Sequence, residues 1–135
     1  MLDDLLKGDV YEKPELMSVL TLAFLGDAIH SLFVKRWLIS QKDFKQKDLQ
    51  SKTAQLVCAG NQARVLDKKI DDCNEIEKDI VRRARNTKTN NIAKNSDAVT
   101  YKKSTAFEAL VGFFYLKGLN DRLKEFLEAS LENDF

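Results

Sequence analysis

Apolar residues recur along most of this chain at the three- and four-residue spacing of helices. The pattern predicts five helices, over residues 15–40, 46–69, 75–85, 104–117 and 121–131. Residues 86–98 (NTKTNNIAKNSDA) offer almost nothing to bury and predict a surface loop. No stretch alternates apolar and polar residues, and no Asn-Gly or Asp-Gly hairpin turn occurs. The sequence therefore predicts an all-α helical bundle that forms one domain over residues 1–135.

Local signals mark several of the predicted helix ends. Pro14 stands where the first helix can begin, and Gly118 is placed to end the fourth. Ser104 or Thr105 is a candidate cap for that fourth helix, which would put Glu108 near the capping-box position. Asn120 is the candidate cap of the last helix.

Two carboxylates each stand alone in an apolar helix. Asp27 is the only formally charged residue between Val19 and Val34, and Glu108 is the only one between Ser104 and Leu116. An ionised carboxylate inside an apolar helix is costly unless a positive charge compensates it. Small residues flank both positions and would let two helices approach closely: Ala23, Gly26, Ala28, Ala109 and Gly112.

We therefore expect the two carboxylates to meet and to hold a metal ion. Hard oxygen ligands suit Mg²⁺ or Mn²⁺, and such an ion can activate water and hold a phosphate oxygen for phosphodiester hydrolysis. Two plainer interpretations stay open: Glu108 could cap its own helix, and Asp27 could be a buried acid paired with a basic side chain. His30, the only histidine, lies one turn after Asp27, but packing is the commoner role for a lone histidine in an apolar helix.

Positive charge is concentrated in one segment. The chain has a net charge of only +1, yet residues 78–103 contain eight basic and two acidic residues, net +6, which leaves −5 for the rest. This asymmetry favours a polyanionic partner, and nucleic acid fits best. Side chains here have little to pack against, so substitutions should cost little in folding. The candidate RNA contacts are Arg82, Arg83, Arg85, Asn86, Lys88, Lys94, Asn95, Lys102 and Lys103.

Several features indicate an intracellular protein that does not enter a membrane. Cys58 and Cys73 form no motif, which is typical of a reduced compartment. The first residues, MLDDLLKGD, lack the apolar core of a secretory signal. Residues 16–34 are apolar enough to raise the question of a membrane span, but Asp27 in the middle of the stretch favours a buried core helix.

Two short motifs resemble known family signatures. Residues 22–28 (LAFLGDA) are similar to the signature of the ribonuclease III family, and residues 108–112 (EALVG) are similar to a second element of that family. The segments RRARN (82–86), KNSD (94–97) and YKKSTAFE (101–108) resemble its short form, Mini-ribonuclease III, which lacks a double-stranded-RNA-binding domain. The resemblance covers about residues 15 to 130.

This resemblance implies an all-α, homodimeric endonuclease that cuts double-stranded RNA with Mg²⁺, with Mn²⁺ as a substitute. Asp27 and Glu108 match the family's catalytic and metal-binding positions. The resemblance also implies maturation of the ends of large-subunit (23S) ribosomal RNA precursors in the bacterial cytoplasm, or in an organelle of bacterial origin. It leaves room for a ribosomal protein as an accessory factor.

The chain departs from the longer family members at three positions. They carry acidic residues where this chain has Leu20, Ala23 and Thr105. Asp97 is an acidic candidate in the loop that could supplement the metal ligands. A non-catalytic protein that binds double-stranded RNA is therefore the second interpretation, and a helical protein-interaction module with an acidic partner is the third.

Overall fold

The computed structural model describes residues 11–88 and 97–132, and within them it is all-α, as the sequence predicts. Within the described residues, short 3₁₀ turns accompany the helices at Pro14–Leu16, Ile70–Asp72 and Ser130–Glu132. The α-helices are α1 (Val19–Gln41), α2 (Gln46–Val57), α3 (Ala59–Lys69), α4 (Glu75–Arg85), α5 (Ala98–Lys117) and α6 (Asn120–Ala129).

Two predicted helices are interrupted in the structure. The first is preceded by a separate 3₁₀ turn, and α1 begins only after Ser18, whose hydroxyl accepts the backbone N–H of Leu20 at 3.3 Å. The predicted helix 46–69 breaks at Cys58, which has an extended backbone. Periodicity did not reveal this break because both halves are helical. Their apolar faces nevertheless enter different clusters, with Leu56 in one and Leu66 in the other.

The start of α5 differs most from the prediction. The helix begins at Ala98, and the Asp97 carboxylate caps it by accepting the backbone N–H of Thr100 at 2.6 Å. The predicted cap at Ser104 or Thr105 is therefore wrong, because both residues lie inside the helix. Glu108 follows in mid-helix, so the capping-box interpretation of Glu108 is also wrong.

The remaining boundaries are close to the predicted ones. Helix α4 matches its predicted range and begins with a reciprocal capping box between Asn74 and Glu77. Gly118 ends α5 in the left-handed conformation, with φ of 77°. Asn120 is the first residue of α6 rather than its cap, a position that Leu119 takes. Of the predicted loop, residues 89–96 lie outside the described part of the chain.

Helix α5 runs through the centre of the bundle and packs against α1, α3, α4 and α6. From Ser104 to Tyr115 its side chains are buried nearly all round, and Phe107, Leu110 and Phe114 have no exposed surface. A helix that is apolar on every side is stable only when other elements enclose it. Among residues 11–88 and 97–132, no helix is both long and apolar enough to cross a membrane.

The backbones of α1 and α5 touch where the two helices cross. A β-carbon built on Gly26 would lie 1.8 Å from the carbonyl oxygen of Glu108, and one built on Gly112 would lie 2.1 Å from that of Leu22. Neither distance leaves room for any side chain. Of the small residues predicted to permit a close approach, Gly26 and Gly112 do so here. The contact brings the backbone next to Asp27 against that of Glu108.

We expect Gly26→Ala or Gly112→Ala to lower the free energy of unfolding by roughly 3 kcal/mol or more, because the added methyl group would force the two backbones apart. Gly60→Ala is the matched control. It also lies in a helix, but a β-carbon there meets nothing within 4 Å, so the change should stabilise by about 0.5–1 kcal/mol. Urea unfolding of the three variants tests this, and equal losses at Gly26 and Gly60 would contradict it.

Candidate active site

The structure brings Asp27 and Glu108 together. Asp27 lies on α1 with an exposed side chain, and Glu108 lies on α5 with a partly buried one. The two carboxyl groups are close enough to share a hydrogen bond. Their approach follows directly from the helix crossing, since Gly26 precedes Asp27 and touches the backbone of Glu108.

The electrostatics of the pair are those of two acids that share one proton. The pKa of Glu108 is raised to about 8, mainly by burial and in addition by the hydrogen bond with Asp27 and the charge of Asp27. A hydrogen bond from Gln62 acts in the opposite direction on this pKa. At neutral pH and without a cation, the Glu108 carboxyl group is therefore largely protonated.

No basic side chain neutralises this pair within the described residues. The ion pairs of residues 11–88 and 97–132 involve neither Asp27 nor Glu108, so the interpretation of Asp27 as half of a buried ion pair is not supported. Two converging carboxylates without a positive partner suit a hard divalent cation. Residues 11–88 and 97–132 contain no cluster of three or more His, Cys, Asp or Glu side chains that could hold a metal ion. The donor set therefore fits a cation with two protein carboxylates.

Three positions mentioned for the longer relatives carry no acid, and the structure shows what they do instead. Leu20 is exposed on α1, and Ala23 is buried against the core. Thr105 is also buried, and its hydroxyl donates to the carbonyl oxygen of Tyr101 at 3.1 Å.

Asp97 does not join the carboxylate pair. It caps the N-terminus of α5, eleven residues before Glu108, which corresponds to about 16 Å along the helix. The charge of Asp97 is used locally, since hydrogen bonds from the first turn of α5 lower the pKa of its carboxyl group. The expectation that Asp97 supplements the metal ligands therefore has no support in the geometry of a single chain.

His30 is a packed core histidine. It has no exposed surface, and its ring meets that of Phe107 edge-on with centroids 5.0 Å apart. Burial lowers the pKa of His30 to about 4, although the nearby charge of Asp27 acts to raise it. The ring is therefore neutral at physiological pH, as the packing interpretation expects.

A buried polar network behind the carboxylates was not predicted from the sequence. The Gln62 side chain bonds to His30 Nδ1 at 3.0 Å and accepts the hydroxyl of Ser104 at 2.6 Å. Gln62 is 2% exposed and lies on the inner face of α3. The sequence carried one signal that could have indicated it: Asn61 and Gln62 are two consecutive polar residues at the buried side of an amphipathic helix.

The basic residues fall into two groups. Arg85, Asn86 and Lys88 are exposed at and just beyond the end of α4. In residues 11–88 and 97–132, Arg85, Lys88 and the half-buried Lys102 make no ion pair. Others are already paired: Arg82 with Asp79, and Lys103 with Asp67 at 2.9 Å. Lys94 and Asn95 lie outside the described residues.

Arg83 is a structural residue, contrary to the expectation that its substitution would cost little in folding. Its guanidinium pairs with Asp79 at 3.0 Å and donates to the carbonyl oxygens of Met17, at 3.1 Å, and Glu15. These bonds attach the segment before α1 to the end of α4. Arg83→Ala should therefore lower the free energy of unfolding, because the partly buried carbonyl groups of Met17 and Glu15 would lose a hydrogen-bond donor.

We expect Asp27→Asn to stabilise the protein in the presence of a metal chelator. The pKa of Glu108 in the folded chain, about 8, exceeds its ordinary value of 4.5. The folded state therefore binds the proton more tightly, and stability is lost as pH rises from about 4.5 to about 8. Removing the Asp27 charge reduces that loss, so Tm at pH 8 should rise by roughly 4 °C for each kcal/mol regained.

Tm measured between pH 5 and pH 8 tests this, and the difference between variant and wild type should shrink toward pH 5. Asp43→Asn is the control, since Asp43 is exposed between α1 and α2 and makes no ion pair in the described chain. Parallel curves for Asp27→Asn and wild type would contradict the coupling of the two carboxyl groups.

Comparison with known proteins agrees with this geometry. The family model for the ribonuclease III domain matches residues 20–119, which include both carboxylates. A Mini-ribonuclease 3 from Thermoanaerobacter sp. is 41% identical over 116 residues, covering 86% of this chain and 82% of the relative. A Mini-ribonuclease 3 from Staphylococcus aureus is 36% identical over 115 residues, covering 84% and 86%.

The fold is likewise similar to a solved structure. The crystal structure of a protein from Fusobacterium nucleatum superposes with a TM-score of 0.81 at 30% sequence identity, covering 90% of this chain and 98% of the other. Sequence motifs, family model, relatives and fold agree over nearly the whole described length. The chain belongs to the ribonuclease III family.

Proposed function

We propose that this endoribonuclease of the ribonuclease III family cuts double-stranded RNA with Mg²⁺, for which Mn²⁺ can substitute, and that Asp27 and Glu108 hold the cation. The observation that carries the proposal is the convergence of two carboxylates at the crossing of α1 and α5 with no ion pair to neutralise them in the described residues. Such a pair is unfavourable by itself and is explained by a bound cation.

The two carboxylates have different surroundings at the site where they would share one cation. Asp27 is exposed and reaches the surface where a phosphate can approach, whereas Glu108 is partly buried and held from behind. Both must be ionised to act as ligands, so Glu108 releases its proton when the cation binds. When bound, a divalent cation supplies positive charge for a phosphate oxygen and lowers the pKa of a water molecule.

The basic surface at the end of α4 would hold the duplex. Exposed Arg85, Asn86 and Lys88 offer donors to phosphates and sugars, and A-form RNA is recognised mainly through such contacts. Arg82, Lys102 and Lys103 extend this set, as do Lys94 and Asn95 by their position in the sequence. We assign Arg83 a supporting part, because its guanidinium already holds the segment before α1.

We further propose a homodimer. Helix α1 exposes an apolar face beside Asp27, where Leu20 is 50% and Phe24 is 82% exposed. Leu16 and Leu32 are exposed as well. A two-fold interface on this face would bury these side chains and place two sites along one duplex. Sedimentation at micromolar concentration that showed only a 15.4 kDa species would contradict the dimer.

For the substrate we propose the precursor of large-subunit (23S) ribosomal RNA, in the cytoplasm of a bacterium or in an organelle of bacterial origin. The support is the resemblance of the motifs to the short form of the family and the 41% identity with a Mini-ribonuclease 3. A ribosomal protein bound to the precursor would be a fitting accessory factor.

Cleavage of structured RNA with Mg²⁺, with Mn²⁺ and with a chelator tests the activity. Wild type should cut only with a metal, and Asp27→Asn and Glu108→Gln should lose at least about 100-fold in rate while still binding RNA, because each removes a charged ligand and keeps the volume. Binding by wild type without cutting would favour the non-catalytic RNA-binding interpretation, which the lack of acids at Ala23 and Thr105 supports. If the wild type neither binds nor cuts RNA, the remaining interpretation is a helical protein-interaction module.

A salt titration tests the basic surface. Changing Arg85 and Lys88 to Ala together should weaken duplex binding in chelator and reduce the slope of log affinity against log salt by somewhat under two units. Tm should stay nearly unchanged, in contrast to Arg83→Ala. Changing Lys68 and Lys124 to Ala is the charge-matched control, since both are exposed on α3 and α6. Equal slopes for both double variants would refute the assignment.

A further inference from the structure

A single buried amide connects three helices directly behind the carboxylate pair. Gln62 extends from α3, and its carboxamide reaches His30 on α1 and Ser104 on α5. Its carboxamide also lies close enough to Glu108 on α5 to lower the pKa of that carboxyl group. Gln62 is 2% exposed, His30 is fully buried and Ser104 is 7% exposed, so the bonds of Gln62 with His30 and Ser104 are shielded from water.

The direction of each hydrogen bond is determined by its partners. Gln62 Oε1 accepts the Ser104 hydroxyl at 2.6 Å, so the amide nitrogen faces the other way. That nitrogen lies 3.0 Å from His30 Nδ1, and since an amide nitrogen only donates, the neutral ring accepts through Nδ1. Gln62 lowers the pKa of the Glu108 carboxyl group, as a donor does, so the same nitrogen is the part of the carboxamide that faces Glu108.

The spacing of the partners along their helices gives the network its effect. Ser104 lies one turn before Glu108 on α5, and His30 lies one turn after Asp27 on α1. Gln62 is thus anchored on both helices that carry the carboxylates and directs an N–H donor at one of them. Because His30 and Ser104 hold the carboxamide in place, a Glu108 side chain that rotated away from Asp27 would also move away from a donor that cannot follow it.

We propose that Gln62 is a positioning residue that fixes the Glu108 carboxylate beside Asp27 in the arrangement that binds the divalent cation. Residues that orient a metal ligand through a hydrogen bond typically change metal affinity by roughly 10–100-fold when removed. This inference rests on the proposed function of the pair. It extends that function to a residue on a third helix that carries no charge.

The neighbouring residue supplies a matched control. Asn61 is 4% exposed on the same helix, and its amide nitrogen donates to the carbonyl oxygens of Leu56 and Ser130 at 2.7 and 2.9 Å. Its side-chain oxygen accepts from Arg64. These bonds join α2, α3 and the 3₁₀ turn after α6, and none of them reaches Asp27 or Glu108. Replacing Asn61 removes a buried amide from α3 without touching the carboxylate pair.

The experiment compares Gln62→Met, Ser104→Ala and Asn61→Leu with wild type. Met keeps the length of Gln and removes its hydrogen bonds. Mn²⁺ binding is followed without RNA through the electron paramagnetic resonance signal of free Mn²⁺, and Tm is measured in chelator. The Mn²⁺ concentration for half-maximal cleavage of a duplex is then determined for each variant.

We expect Gln62→Met to raise the Mn²⁺ dissociation constant and the half-maximal concentration by roughly tenfold or more, while RNA binding in chelator is unchanged. Ser104→Ala removes one of the two bonds that hold the carboxamide. It should raise the Mn²⁺ dissociation constant and the half-maximal concentration as well, but by a smaller factor than Gln62→Met. Asn61→Leu should lower Tm and leave both metal readouts at the wild-type value.

Unchanged metal readouts in Gln62→Met, or equal changes in Asn61→Leu, would overturn the inference while wild-type cleavage upheld the proposed function. If Gln62→Met fails to fold, Ser104→Ala decides by the same criterion. A wild type that neither binds Mn²⁺ nor cuts RNA would overturn the proposed function and this inference together.

Discussion

The backbone contact between α1 and α5 is the constraint on which the rest of the structure depends. Gly26 and Gly112 each face a carbonyl oxygen of the opposite helix at a distance that excludes any β-carbon. The contact lets α5 run through the middle of the bundle, where α1, α3, α4 and α6 enclose it. It also fixes the position along each helix axis at which the two helices cross, and both carboxylates lie at that crossing.

The same crossing explains why an acidic residue is tolerated inside α5. No other charged residue occupies a buried or half-buried position of α5 after Ser104, and burial beside Asp27 raises the pKa of Glu108 to about 8. A packed core would be more stable with an apolar residue there. The hydrogen bond from Gln62 favours the ionised form of Glu108 and opposes this cost. A local violation of packing rules that is supported by a dedicated donor is typical of a functional site.

Periodicity and charge sufficed to predict the helical class, most helix positions and the meeting of Asp27 with Glu108. They could not show the break at Cys58, because both sides of it are helical. They also missed the first six residues of α5, because those side chains are exposed or only half-buried and so follow no buried stripe. Arg83 was misjudged since its acceptors are backbone carbonyl groups, at Met17 and Glu15, that no side-chain pattern reveals. Gln62 was missed for a related reason: its partners are far apart in sequence and meet only in the fold.

Helix α1 divides its surface between the core, the site and an unburied apolar face. Leu22, Gly26 and Ile29 point toward the core, whereas Leu20 and Phe24 are exposed. Asp27 is separated from Phe24 by less than one helical turn, so it stands at the edge of the exposed apolar face. In a two-fold dimer built on that face, the partner would therefore form one wall beside the carboxylates. In such a dimer, the helix that carries Asp27 would also set the distance between the two sites, so assembly and the spacing of cuts on a duplex would depend on the same element.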